Sequence, residues 1–124
     1  METLTIEQTE LSPKVLFNAE TGKLLIQGKS FMENTIAFYS TLESWLDDYM
    51  KAPYEKTVLQ IYLSYYNSST FREILSILMK LSQLQNQGNN VLIEWAYDKK
   101  DTLALKKGKE LAMLMKLSFE YIEK

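Results

Sequence analysis

Two residue types are missing from this chain of 124 residues, and each absence removes a class of chemistry. The chain contains no cysteine and no histidine. Disulfides, thiolate nucleophiles and cysteine-based metal sites are therefore excluded. Without an imidazole or a thiolate there is also no Ser-His-Asp or Cys-His arrangement and no ordinary zinc or copper site. We expect a protein that uses no metal and no cofactor.

Glycine, proline and long apolar segments are also scarce. The four glycines are isolated from one another, so no glycine-rich phosphate loop is present, and with two prolines the chain has too few of either residue for a long disordered segment. The first residues, Met1 to Glu7, form no basic and then apolar leader, and no run of about 18 apolar residues follows. We expect one domain over residues 1–124, without a membrane segment and located in the cytoplasm.

Charge and carboxylate placement narrow the function further. The net charge is −2 and the lysines are dispersed, which argues against nucleic acid or an anionic membrane as the main partner. Glu94, Asp98 and Asp101 are close in sequence and are the only acidic grouping that suggests a carboxylate-dependent enzyme. They fall at a strand end and a helix start, where acidic residues are ordinary caps.

Hydrophobic periodicity predicts a mixed α/β fold that opens with a β-hairpin, strands 14–18 and 23–28 around a five-residue loop. Ser30 and Glu33 have capping-box spacing and predict that the first helix begins near Ser30 and ends before Pro53. Residues 57–66 are typical of a buried strand, and 69–87 of a helix stopped by Gly88.

Residues 91–97 predict a second strand, parallel to strand 57–66, with a right-handed crossover between them. A third helix over 101–116, with Leu103, Leu111 and Met115 facing inward, and a last strand at 119–122 complete the pattern. The predicted core consists of Phe38, Leu42, Trp45, Leu46, Ile61, Leu63, Leu75, Leu78, Ile93 and Trp95.

The junction between strand 57–66 and the second helix carries the clearest functional signal. Asn67 is followed by three consecutive hydroxyl residues, Ser68, Ser69 and Thr70. One interpretation is helix capping, since Asn, Ser and Thr are the preferred N-cap residues and Thr70 and Glu73 have capping-box spacing. The other is regulatory phosphorylation, because a helix N-terminus has free N–H groups and a dipole that favour negative charge.

Five segments of the sequence carry a resemblance to a known family: residues 28–39, Trp45-Leu46, residues 65–70, residues 95–98 and residues 118–121. Together they resemble the SiaC family of bacterial regulatory phosphoproteins, and the resemblance extends over nearly the whole chain. It implies a fold similar to the STAS domains of anti-sigma-factor antagonists. It further implies partner switching, in which a kinase modifies the protein, a phosphatase reverses this, and the unmodified form binds and activates a diguanylate cyclase.

Carried onto this sequence, the family pattern places the modified hydroxyl on Ser68, with Ser69 and Thr70 as alternatives. The residues that the resemblance implies for partner binding are Asn67, Ser69, Thr70, Phe71, Arg72, Glu33 and Asn34. Two departures are visible: Met32 replaces a proline of the family pattern, and the last helix reads Leu111 to Lys116 without the family's usual acidic residues. These departures suggest a divergent member with a different client.

Three function classes follow. The first is a non-enzymatic binding protein controlled by phosphorylation. The second is a constitutive STAS-like adaptor or structural protein that is never phosphorylated. The third is the carboxylate-dependent enzyme.

Overall fold

The computed structural model describes all 124 residues and contains six strands and three helices. They alternate after an initial group of three strands. In chain order they are β1 (Leu4–Ile6), β2 (Lys14–Asn18), β3 (Lys23–Ser30), α1 (Thr35–Tyr49), β4 (Lys56–Tyr66), α2 (Ser68–Asn86), β5 (Asn90–Tyr97), α3 (Thr102–Met115) and β6 (Ser118–Glu123).

The strands form one mixed sheet in the order β1-β2-β3-β4-β5-β6, so every strand pairs with its neighbours in the chain. β1, β2 and β3 pair antiparallel, whereas β3, β4, β5 and β6 pair parallel. Each parallel connection contains a helix, as parallel pairing requires. α1, α2 and α3 therefore all begin at the same edge of the sheet, where the parallel strands end.

The helices cover one face of the sheet. Phe17, Leu24, Leu59 and Ile93 are neighbours across four strands and project to the same side. They share a single core cluster with buried residues of all three helices, such as Leu42, Leu78 and Leu111. The opposite face, which carries Leu16, Leu25 and Gln60, has no helix over it.

Most of the predicted elements are confirmed, including the hairpin, the parallel pairing of the two central strands and the closing strand. β1 was not predicted. It has three residues and is held by pairing with β2 and by the Trp45 indole N–H, which donates to the Glu2 carbonyl at 2.9 Å.

The predicted start of the first helix is wrong. Ser30 is the last residue of β3 and is fully buried, and α1 begins five residues later. Asn34 is its N-cap, and the Asn34 side chain accepts a hydrogen bond from the Ala37 N–H at 3.1 Å. The chain continues as a strand through Ser30 because a register shift at Gly28/Lys29 lets Lys29 and Ser30 pair with the end of β4.

The predicted core is mostly confirmed. Six of its ten residues are buried, and Phe38, Trp45, Leu63 and Leu75 are partly buried against the cluster. Leu103 is 76% exposed, so its inward assignment is wrong. The largest fully buried side chains that the prediction omitted are Phe17, Tyr39, Tyr49, Ile26, Leu59, Ile77, Leu81 and Leu84.

Candidate functional site

The strand-to-helix junction after β4 is organised by Asn67. Its backbone is extended, with φ −102° and ψ 177°, and its side chain caps α2. The Asn67 Oδ1 atom accepts hydrogen bonds from the Thr70 backbone N–H at 3.0 Å and from the Ser69 hydroxyl at 2.8 Å. The prediction that Thr70 caps this helix is therefore wrong, because Asn67 satisfies the free N–H that Thr70 itself contributes.

The three hydroxyl residues lie in different environments. Ser68, the first residue of α2, is exposed, and its hydroxyl is left out of the hydrogen bonds that organise the turn. Ser69 is half-buried, and its hydroxyl lies 2.9 Å from the Thr35 hydroxyl at the start of α1. Thr70 is fully buried. Only the Ser68 hydroxyl offers an enzyme open access without a change in the fold.

Behind this turn lies a buried chain of hydroxyl groups. The Thr70 hydroxyl donates to the Ser30 carbonyl at 2.9 Å. The Ser30 hydroxyl has one proton and two acceptors, the Thr70 oxygen at 2.7 Å and the Met32 sulfur at 3.8 Å. The oxygen is closer and is the stronger acceptor, so Ser30 donates to Thr70 and the Tyr39 phenol at 2.9 Å donates to Ser30. Each buried proton therefore has an acceptor.

Burial keeps this chain of hydroxyls neutral. Burial raises the pKa of Tyr39 to about 12, the nearby Glu73 carboxylate acts in the same direction, and the hydrogen bond between Tyr39 and Ser30 acts in the opposite direction. The Tyr39 phenol thus stays protonated at every physiological pH. Ser30 and Tyr39 join the end of β3, the first half of α1 and the start of α2 into one rigid support for the exposed turn.

Apolar and aromatic side chains are exposed in the segments that adjoin the turn at Ser68. Tyr65 is 56% exposed and packs edge-on against Phe31, with ring centroids 5.1 Å apart. Ile36, next to the Thr35 that contacts Ser69, is 73% exposed. We call Phe31, Ile36 and Tyr65 the apolar rim. Sequence analysis did not single out Ile36 or Thr35, because only the contact between α1 and α2 brings them to the turn.

Two further predicted residues, Phe71 and Arg72, lie on the first turns of α2. Phe71 is half-buried and stacks on Tyr66 with centroids 6.3 Å apart, and the Lys107 ammonium of α3 lies 5.0 Å from the Phe71 ring centroid. Arg72 is exposed and is four residues after Ser68 on the same helix, a spacing at which side chains are neighbours.

The remaining predicted binding residues, Glu33 and Asn34, are both exposed in the segment that leads into α1. The contact between Thr35 and Ser69 brings that segment beside the turn. Of the seven residues predicted to bind a partner, Thr70 alone is fully buried and offers no surface to one.

The three carboxylates considered for an enzyme are engaged separately. Glu94 accepts from the Gln60 amide at 3.0 Å, Asp98 accepts from the Tyr62 hydroxyl, and Asp101 caps α3 through the Ala104 N–H at 3.0 Å. No group of three or more acidic side chains is positioned to hold a metal ion. None of the helices has the length and apolarity needed to cross a membrane.

Comparison with known proteins agrees with this mixed α/β fold. The model of the SiaC family of regulatory phosphoproteins matches residues 6–124. The chain therefore belongs to the SiaC family. An uncharacterised protein of Pseudomonas aeruginosa strain UCBPP-PA14 is 26% identical over 101 residues, which are 82% of this chain and 80% of that protein.

Solved structures of SiaC from P. aeruginosa share the fold. The apo form superposes with a TM-score of 0.83 at 25% identity, covering 100% of this chain and 99% of the other. SiaC bound to the diguanylate cyclase SiaD, of which it is described as the activator, superposes with a TM-score of 0.92 at 22% identity, covering 98% and 99% of the two chains. At such identities the likeness to the complex shows the fold alone.

Proposed function

We propose that this protein is a non-enzymatic, cytoplasmic signalling protein whose binding to a client is switched by reversible phosphorylation of Ser68. A Ser/Thr kinase and a phosphatase set its state, and the unmodified form binds and activates a diguanylate cyclase. The observation that carries the proposal is the contrast among the three hydroxyls: Ser68 is exposed, whereas Ser69 is hydrogen-bonded and Thr70 is buried. Family membership supports the class of protein.

The folded chain has the groups to tolerate a phosphate on Ser68. The modification adds a charge of about −1.5 to −2 and three acceptor oxygens. Ser68 is the first residue of α2, so the positive end of the helix dipole and the free N–H groups of the first turn are close by. Arg72, one turn along the same exposed surface, supplies a cation for a charge-assisted hydrogen bond.

A client bound over the same turn does not tolerate it. The apolar rim, Phe31, Ile36 and Tyr65, offers aromatic and aliphatic surface suited to the centre of a protein interface. A dianion placed among these contacts has to be desolvated. A loss of about 3 kcal/mol of binding free energy weakens the complex roughly a hundredfold. The modification thus changes binding and leaves the fold intact.

Ser69 is the alternative site, and the structure distinguishes it from Ser68 by its effect on the fold. A phosphate on Ser69 replaces the hydroxyl that donates to Asn67 within the turn and that contacts Thr35, the contact that joins α2 to α1. Modification there lowers stability as well as binding. The constitutive adaptor remains the second candidate function and predicts no phosphate at either position.

The test combines mass analysis with matched variants. Protein purified from its native host, with and without the phosphatase, is analysed by intact mass and peptide mapping over residues 68–70. Ser68→Ala, Ser68→Asp and Ser69→Asp are compared in melting temperature and in affinity for the diguanylate cyclase of the same host. Ser44→Asp, on the exposed side of α1, is the control for adding one charge elsewhere.

We expect Ser68→Ala to bind constitutively, and Ser68→Asp to keep its melting temperature but bind at least tenfold more weakly. Ser44→Asp should match the unmodified protein. If Ser69→Asp alone weakens binding, the site moves to Ser69. If no phosphate is found and neither aspartate changes affinity, the adaptor is the correct function.

A further inference from the structure

The face of the sheet opposite the helices carries a continuous apolar band. Leu16 and Leu25 are neighbours across β2 and β3, and Val58 and Leu92 are neighbours across β4 and β5. Leu16 is 38% exposed, and the other three are half-buried by one another. The band borders a shallow groove of about 510 Å³, which Gln60 and Glu94 also line. The solvent-exposed face of a sheet normally carries polar residues, so an apolar band on this face suggests that a partner covers it.

Apart from Lys56 at the start of β4, the charged side chains of this face are divided between the two sides of the sheet. Lys14 and Lys23 lie on β2 and β3, whereas Glu94 and Glu120 lie on β5 and β6. Successive side chains of a strand point to opposite faces of the sheet. The residues next to these four face the core, so the four charged side chains face the open side; these neighbours are Val15, Leu24, Ile93 and Phe119.

None of these four charges is neutralised within the chain. The ion pairs of the protein lie on or beside the helices and involve Asp47, Asp48 and Glu110. Glu94 and Glu120 are moreover directly paired across β5 and β6, an arrangement in which like charges destabilise the sheet. A cation brought by a partner removes that repulsion.

We propose that two copies of this protein pack their open sheet faces together around a two-fold axis that runs along the strands. This rotation places the β6 side of one sheet over the β1 side of the other. Each residue keeps its position along the strand direction. The rotation therefore places the lysine side of one copy over the glutamate side of the other. An axis across the strands instead sets like charges over one another, so the charge pattern selects the first arrangement.

The register supports the same pairing. Leu16, Leu25, Gln60, Glu94 and Glu120 form one row across the sheet. Lys14 and Lys23 lie in the rows on either side of it, two residues away along their strands, a step of about 6.6 Å. The Glu94 and Glu120 side chains of the second copy therefore lie between the Lys14 and Lys23 side chains of the first. The two apolar bands cross near the axis, at Leu25 and Val58.

The size of this face indicates a reversible dimer. Six strands about 4.8 Å apart and three rows of side chains give a flat footprint of roughly 24 Å by 17 Å, or about 400 Å² per copy. That is about half of the 800 Å² that each partner contributes to a standard interface. The dimer should therefore dissociate on dilution, and more readily in high salt.

Charge reversal provides a sharp test. Sedimentation equilibrium of the full chain from about 1 μM to about 300 μM measures the dimer constant. The first variant combines Lys14→Glu with Lys23→Glu, and the second combines Glu94→Lys with Glu120→Lys. Each variant alone should raise the dissociation constant of its homodimer at least tenfold. The four charged positions on the open face then have the same sign in both copies. An equimolar mixture should form a heterodimer, since every reversed lysine then faces a reversed glutamate.

Recovery in the mixture also shows that both variants are folded. A control with Met113→Ser and Leu114→Ser removes two strongly exposed apolar side chains of α3 and should leave the dimer constant unchanged. The proposal is overturned if the wild-type protein stays monomeric at every concentration, or if the charge reversals leave the dissociation constant unchanged. It is also overturned if the mixed variants do not associate, or if the α3 control abolishes the dimer. Ser68→Asp should dimerise normally, so this result is independent of the proposed switch.

Discussion

Replacing Thr70 by valine removes one buried hydroxyl and keeps the shape of the side chain. The Thr70 hydroxyl donates to the Ser30 carbonyl at 2.9 Å and receives the proton of the Ser30 hydroxyl at 2.7 Å. The Ser30 carbonyl keeps the Asn67 N–H as a donor at 3.4 Å, but the fully buried Ser30 hydroxyl keeps only the Met32 sulfur at 3.8 Å, a weak acceptor. An unsatisfied buried polar group costs about 1–3 kcal/mol, so we expect Thr70→Val to lower the free energy of unfolding by about 2 kcal/mol.

Urea unfolding followed by the fluorescence of Trp45 and Trp95 measures this loss. Ser68→Ala is the matched control, because its hydroxyl is exposed, and it should change the free energy by less than about 0.5 kcal/mol. Combining Thr70→Val with Ser30→Ala should be less destabilising than the sum, since both changes act on one hydrogen-bond chain. A loss of less than about 0.5 kcal/mol for Thr70→Val, or equal losses for Thr70→Val and Ser68→Ala, would refute the structural role assigned to Thr70.

Three further outcomes are expected. Leu78→Ala should lower the free energy of unfolding by about 2–5 kcal/mol, because Leu78 is fully buried. Met79→Ala, at the next position and 56% exposed, should change it little, and similar losses of the two variants in urea unfolding would contradict the assigned helix face. Gly108→Ala should lower the free energy of unfolding by about 1–3 kcal/mol, because the new Cβ lies 2.5 Å from the Trp95 ring. The fluorescence emission of Trp95 should shift, and a rise in melting temperature would exclude the clash. The contribution of Tyr39 to stability should be lost between about pH 10 and 12, because the unfolded chain loses the Tyr39 proton there while the folded chain, with a pKa raised to about 12, retains it. Burial also raises the pKa of Tyr66 and Tyr121, so Tyr39→Phe should reduce the alkaline fall in stability without abolishing it, and an unaltered pH profile would contradict the role of Tyr39.

Periodicity predicted most of the fold because the helices and central strands each carry an unambiguous apolar pattern. The strand over 57–66 and the helix over 69–87 differ from β4 and α2 by at most one residue at each end. β1 and the end of β3 were not predictable in this way. β1 has three residues and depends on β2 and Trp45, and the last residues of β3 depend on pairing with β4 across an irregular register.

The position of the strand-to-helix turn was predicted correctly, but the structural roles of Ser30 and Thr70 were not. Ser30 and Thr70 each stand three residues before a glutamate, a spacing typical of caps. Both are instead buried, 2.7 Å apart, although 40 positions separate them in sequence. Local patterns cannot distinguish a capping hydroxyl from a buried one, because the difference lies in which distant strand or helix packs against it.

The order of the strands in the sheet also bears on how the chain folds during synthesis. Because β1 to β6 are added to the sheet in the order in which they leave the ribosome, each new strand finds its neighbour already made. No strand has to wait for a distant segment or insert between two others. Every pairing closes a loop of moderate length, which favours rapid folding over the slow search of strands that pair across the whole chain. The turn at Ser68 is supported once β3, α1 and the start of α2 have emerged, so this turn takes shape when little more than half of the chain has left the ribosome.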